Sequence, residues 1–302
     1  MRHHIVGLVT AVVLVPGVLA LPPLPVAAKA STGTAGEEPT IVGKWNNAAV
    51  NGSAQSNYTL EYGFPEEHAT AMRVPSTNRS VIIDPPDGKI PFQPWAMKLR
   101  EARDKIHTDW SHMKSKDLDP QSKCYPGGVP RVMNRDAPLI TRFPDRVLMQ
   151  FEWDHQYRVI YTDGRPHLPK RIKLWYGDSR GHWEGNTLVV ETTNLNGYAW
   201  LDVIGSFFSD DATVVERFTP IDANTLKWSA TITDPNVFTR PWTMGWNYVR
   251  NRGQATGNVG SGFFGPADTP GSAEIWEHAC IEGNHFPVWQ EIRQRELIPK
   301  AK

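Results

Sequence analysis

Cysteine is nearly missing from this chain. Only Cys124 and Cys280 occur in 302 residues, too few to build a zinc–thiolate centre. An excess of charge of either sign is missing too. The 32 basic residues are matched by 32 acidic ones, which leaves neither the electrostatic footprint of a nucleic-acid binder nor a basic patch for an anionic membrane. No apolar run beyond the N-terminus is long enough to cross a bilayer. His-x-His and His-x-x-x-His spacings are absent, so His155, His167 and His182 with Glu152 or Asp154 make a poor metal set. No G-x-S-x-G turn exists to present Ser179 to His182 and Asp178 as a hydrolase nucleophile. The glycines between 253 and 271 lack the flanking strand and helix of a phosphate loop. The residues therefore point to no metal and no cofactor.

What is present begins with a leader. Arg2, His3 and His4 give a short basic start, Ile5 to Val26 carries no charge, and Ala28-Lys29-Ala30 has the small-x-small form cut by signal peptidase. Pro16, Pro22, Pro23 and Pro25 interrupt the stretch and make an uncleaved membrane anchor the weaker alternative. The expectation is a secreted or periplasmic protein, cut after Ala30, with no stable membrane insertion afterwards. A mature chain of about 270 residues suits one large domain. In an oxidising compartment Cys124 and Cys280 most simply pair, and closing a loop of about 156 residues is worth roughly 4–5 kcal/mol on chain entropy. Two separate buried thiols are the alternative.

Residues 31–45 read as a tether and 46–92 as irregular, apart from a short strand at Val81-Ile82-Ile83 ended by the turn Asp84-Pro85-Pro86-Asp87-Gly88. From Pro94 to about 116 the period becomes helical. Trp95, Leu99, Ile106, Trp110 and Met113 form an apolar stripe, with Arg100, Glu101, Arg103, Asp104 and Lys105 opposite. From Arg146 the period is two. Val147, Met149, Phe151 and Trp153 share one face, and Tyr157, Val159 and Tyr161 alternate with Arg158 and Ile160 before a hairpin signal at Asp163-Gly164. Further strands are expected at 172–176, 188–193, 213–218, 225–233, 238–249 with a bend at Pro241, and 275–280. Leu226, Trp228, Ala230 and Ile232 face one way in the fourth of these. The fold class that follows is all-β and mainly antiparallel: a meander closing into a lipocalin-like barrel, with the 94–116 helix packed on it. A two-sheet β-sandwich is the alternative. The domain would span 93–302 and include a glycine-rich loop at 251–271.

Several strings taken together resemble a family of uncharacterised secreted bacterial proteins. They are the run from His182 to Asn194 (HWEGNTLVVETTN), Ser209-Asp210 with Val214 to Thr219 (VVERFT), and Asp234 to Trp242 (DPNVFTRPW). Asp84 to Gly88, Asp154 to Arg158 and Cys280 to Asn284 belong to the same set. The resemblance spans about residues 80–285 and implies export and a single domain, but no catalytic assignment. Ile281 stands where such proteins often carry His after the last cysteine.

Candidate site residues come from polar groups set among apolar ones. His155 beside Asp154 has the chemistry of a general base and its orienting partner, with Tyr157 as a donor and Glu191 as a reserve acid. Glu152 and Asp154 would share a face if the strand stayed extended. Alternatively, Asp154 and His155 form only a hairpin corner. Arg158 and Arg217 are anchors for a carbonyl or developing negative charge. Glu191 and Arg217 are either a buried pair or solvated outward charges. Trp175 and Trp242, of 12 tryptophans, offer flat faces for a sugar or aromatic ligand. The expected function is a secreted, cofactor-independent acid–base enzyme (hydrolase, lyase or isomerase type) acting on a small sugar or aromatic compound. The alternatives are a non-catalytic small-ligand-binding barrel and an envelope structural protein.

Overall fold

A computed structural model describes residues 40–47, 60–61, 80–108, 114–135, 138–152, 154–250 and 280. The leader, Trp153, the 251–271 loop and the expected strand before Cys280 lie outside the described residues.

Among the described residues the chain is mostly β, with one helix longer than a single turn. Its strands are β1 (Gly43–Lys44), β2 (Asn46–Asn47), β3 (Ile82–Asp84), β4 (Leu139–Arg142), β5 (Arg146–Gln150), β6 (Tyr157–Tyr161), β7 (Asp178–Glu184), β8 (Thr187–Thr193), β9 (Thr213–Pro220), β10 (Thr225–Thr233) and β11 (Trp242–Val249). Hydrogen bonds join them into one sheet in the order β1-β4-β5-β6-β7-β8-β9-β10-β11-β2, with β3 beside β11. The two ends of that path, β1 and β2, are separated in sequence by Trp45 alone. The 43–47 stretch, read from sequence as tether and irregular chain, thus lies on β4 through Gly43 and Lys44 and on β11 through Asn46 and Asn47. Trp45 in its middle is fully buried and donates its indole N–H to the Ile41 carbonyl.

Period-two burial is strongest in the last three strands. Val214, Glu216 and Phe218 of β9, Leu226, Trp228, Ala230 and Ile232 of β10, and Trp242, Met244, Trp246 and Tyr248 of β11 are all buried, and their intervening neighbours are not. Because successive strand residues point to opposite faces, these positions form the inner layer. Each large apolar side chain so placed contributes about 1.5–3 kcal/mol against exposure.

Three expectations of local structure need correcting. Pairing of β6 with β7 is parallel, through Tyr161 and Arg180, so Asp163-Gly164 does not close a hairpin. Parallel neighbours need a return connection, and residues 162–177 supply it as a strap. The expected strand at 172–176 belongs to this strap and forms an isolated parallel bridge, Leu174 to Leu195, in place of a strand. In the 238–249 segment, the strand itself begins at Trp242.

The helix α1 runs Pro94–Thr108 rather than to 116, and the face it buries is not the one its apolar stripe suggested. Trp95 and Leu99 are exposed while Ala96 is fully buried. Arg103 lies on the packing face, 4.9 Å from the Trp200 ring and 4.7 Å from the Phe207 ring, and donates to the Gly205 carbonyl at 3.0 Å. Arg100 reaches Glu61 at 3.3 Å. The surface under the helix offers aromatic faces, a carbonyl and carboxylates, which guanidinium groups satisfy better than leucine does. Gly205 is required there: its φ is 91° and an added Cβ would lie 2.6 Å from the Arg103 side chain.

Cys124 and Cys280 form the expected disulfide, with Cα atoms 5.5 Å apart. It is compatible with an oxidising compartment. Among the described residues no helix is long and apolar enough to cross a membrane.

Candidate functional site

Five consecutive strands each send one polar side chain inward to the same place. Arg158 comes from β6, Ser179 from β7, Thr192 from β8, Glu216 from β9 and Trp228 from β10. Arg158 and Glu216 have side chains 1% and 0% exposed, and Arg158 Nη2 lies 2.5 Å from Glu216 Oε2. Arg158 Nε also donates to Ser179 Oγ at 3.2 Å, and Nη2 to Ser179 Oγ at 3.0 Å and Thr192 Oγ1 at 2.8 Å. Ser179 and Thr192 face each other across β7 and β8, their hydroxyls 2.9 Å apart. Trp228 Nε1 donates to Glu216 Oε1 at 3.2 Å, and its ring lies 4.2 Å from that of Trp246 on β11.

A buried ion pair is tolerated only when its remaining hydrogen-bonding capacity is filled. Here the filling is uneven. Both Glu216 oxygens and both hydroxyl oxygens receive donors. Arg158 Nη1 is buried without a hydrogen-bond partner among the described residues. The same holds for the indole N–H groups of Trp246 and Trp242. Leaving a buried donor unmet costs about 1–3 kcal/mol, more for a charged group. No protein-family model, curated protein or solved structure matches the chain. The site is therefore argued on its chemistry alone.

Of the residues proposed from sequence, Arg158 and Trp242 face the interior and the others disperse. His155 does not sit beside a catalytic partner. With Asp154 it occupies the tip of the β5–β6 hairpin, both residues in the left-handed region (φ 55° and 52°), and Phe151 N donates to Gln156 O to close the turn. The turn is a hairpin corner, and it leaves His155 exposed. The chain therefore does not stay extended from 152 to 154, and the two carboxylates have different partners. Glu152 is buried 2.8 Å from Lys44, and Asp154 Oδ2 accepts from Gln156 Nε2 at 3.5 Å. Tyr157 is 67% exposed, on the opposite face from Arg158.

Arg217 and Glu191 both point outward and do not pair with each other. Arg217 bonds Glu184 at 2.7 Å, and this contact, followed by that from His182, holds the Glu184 carboxyl below its usual range. Glu191 lies 3.2 Å from His167 Nε2, whose Nδ1 is 2.8 Å from Asp178. Asp178 also accepts from Leu168 N and pairs with Arg180 at 2.6 Å. Asn194 donates to the carbonyls of Leu168, Pro169 and Ile172. These contacts fasten the 162–177 strap to the sheet. Trp175 is half-buried, stacked 5.2 Å from exposed Tyr125 and tilted against Tyr198 at 6.1 Å, whereas Trp242 is fully buried against Phe238.

Glu216, Ser179 and Thr192 were missed by the sequence reading. Val214-Val215 hides the phase of β9, but counting back by two from Phe218 places Glu216 inward and Arg217 outward. Since His155 and Arg217 are exposed and outside the buried network, alanine at either position should shift Tm by no more than about 2 °C. Differential scanning calorimetry would settle this, and a drop beyond about 5 °C at either position would place that side chain in a structural contact.

Proposed function

We propose that this is an exported small-ligand-binding protein whose sheet closes on itself through the 43–47 segment and which seats its ligand against Arg158. The observation that carries the reading is the Arg158 Nη1 donor, buried and unmet among the described residues, on a guanidinium that Ser179, Thr192 and Glu216 hold rigidly. A group fixed in this way is preorganised, so little side-chain entropy is lost when an acceptor arrives. Trp228, which donates to Glu216, and Trp246, whose ring is 4.2 Å from it, put aromatic side chains next to the ion pair. Closure is supported by the 43–47 stretch reaching both ends of the strand path, and export by the leader and the disulfide.

Binding is tested by titrating the protein with four naphthalenes substituted at one ring position: acetyl, carboxylate, aminomethyl and methyl. Intrinsic tryptophan fluorescence and calorimetry provide the readouts. At least one should bind to saturation. The paired variant Arg158→Met/Glu216→Gln, which leaves no lone buried charge, should weaken it by about tenfold or more while keeping the wild-type circular dichroism spectrum. Saturable binding by none of the four, or unaltered binding by the paired variant, sinks the reading.

An acid–base enzyme remains the second reading. The observation in its favour is His167, set between Asp178 and Glu191 and 26% exposed. Its sign would be turnover of a bound compound that His167→Gln abolishes without weakening binding.

A further inference from the structure

We infer that the ligand taken at Arg158 is electrically neutral and meets the site with an acceptor oxygen, such as a ketone, ester or amide carbonyl. This rests on the reading that Arg158 seats a ligand, and it follows from two properties of the network.

The first is charge balance. The buried cations among the described residues are Lys44, Arg131 and Arg158. Glu152 answers Lys44 at 2.8 Å, Asp119 answers Arg131 through two bonds of 2.7 and 2.6 Å, and Glu216 answers Arg158. Arg158 therefore carries no surplus positive charge to spend on an anion. A carboxylate placed against it would lie in the same apolar surroundings as Glu216 and share one guanidinium with it. Two like charges around one counter-charge leave a net buried charge, whose desolvation costs several kcal/mol. A cationic ligand is disfavoured for the mirror reason: beside Arg158 it would set two positive charges around the one Glu216 carboxylate.

The second property is the sign of the hydrogen-bonding vacancies. Every oxygen in the network already receives a donor: Ser179 and Thr192 from Arg158, Glu216 Oε2 from Arg158, and Glu216 Oε1 from Trp228. What is left unmet is donors only, namely Arg158 Nη1 and the indole N–H of Trp246. A ligand group that donates without accepting, such as an ammonium or an aromatic N–H, would leave them unmet. One offering a carbonyl oxygen fills the vacancy and brings no charge. Ligands lacking the partner that a buried polar site is built for are rejected steeply.

The four naphthalenes separate this inference from the reading beneath it. Acetyl and carboxylate substituents are nearly isosteric and differ mainly in charge. The acetyl compound should bind at least about tenfold more tightly than the carboxylate and the aminomethyl compound. It should also exceed the methyl compound by a similar factor, since methyl offers the ring without the acceptor. In Trp246→Phe the acetyl compound should lose affinity while the methyl compound does not, and the indole N–H resonance of Trp246 should move downfield when the acetyl compound binds. If the carboxylate binds as tightly as the acetyl compound or more tightly, the charge argument is overturned and the binding reading stands. Equal binding of acetyl and methyl compounds overturns the acceptor argument alone. If no compound binds, both this inference and the reading it rests on fall.

Discussion

Glu216→Gln should cost about 3–5 kcal/mol of stability, because it breaks a buried ion pair from one side. Glutamine has almost the volume of glutamate but only one amide oxygen, so besides the charge it removes the acceptor of either the Trp228 indole or the Arg158 guanidinium. What remains is a guanidinium 1% exposed and unable to shed its proton. For a domain of ordinary stability, about 5–15 kcal/mol, this is a large fraction of the total. Adding Arg158→Met should recover most of the loss, since removing both partners of a buried pair is often neutral or stabilising. Urea unfolding of the wild type, both single variants and the pair gives the coupling directly. A Glu216→Gln midpoint matching the wild type would mean that Arg158 is compensated by something other than Glu216.

Asp202 provides the second large effect, and it depends on pH. Its side chain sits in the turn between Trp200 and Phe207, fully buried, with Oδ1 accepting from Ser206 N at 2.8 Å and Oδ2 without a partner among the described residues. Burial pushes its pKa from the ordinary 3.8 up to about 6, against the lowering pull of the Ser206 hydrogen bonds and of Arg100 and Arg131. A carboxyl whose folded pKa is raised stabilises the fold below its unfolded pKa, and that contribution is lost as pH rises through the folded one. Ionising Asp202 between about pH 4 and pH 6 therefore removes about 3 kcal/mol, taking 1.36 kcal/mol per unit. Asp202→Asn keeps the oxygen that Ser206 N bonds and has nothing to ionise. It should match the wild type near pH 4 and exceed it by about 3 kcal/mol above pH 7. Chemical denaturation of both proteins across this range tests it, and a constant difference at every pH would mean that Asp202 does not titrate there.

Strands β5, β6, β9, β10 and β11 were legible in the sequence because one face of each is buried more than the other, and β10 follows its expected alternation residue for residue. By contrast, β7 was not read as a strand, and β8 buries residues of both faces. The disulfide was legible because two cysteines behind what reads as a leader leave few other uses. Reading failed where a partner surface decides the outcome. The α1 stripe was misassigned because guanidinium stems bury well against Trp200 and Phe207, which an apolar count along the helix does not register. The 43–47 stretch is too short to show a period, and its two ends pair with strands about 95 and 200 residues away in sequence.

The candidate site divides in the same way. Arg158 was singled out in the sequence, but Glu216 was passed over for its neighbour Arg217, and the convergence of Arg158 with Ser179, Thr192 and Glu216 was not visible. Local composition dictates which residues alternate, since a strand's two-residue period is a property of the backbone. Which face is inner, and which strand lies next to which, depends on burial against the rest of the chain. The parallel β6–β7 pairing brings Arg158 to Ser179, and the antiparallel β7–β8–β9 ladder carries the network on to Glu216. Contacts between residues 58 positions apart are energies of the assembled sheet, and no window of the sequence contains them.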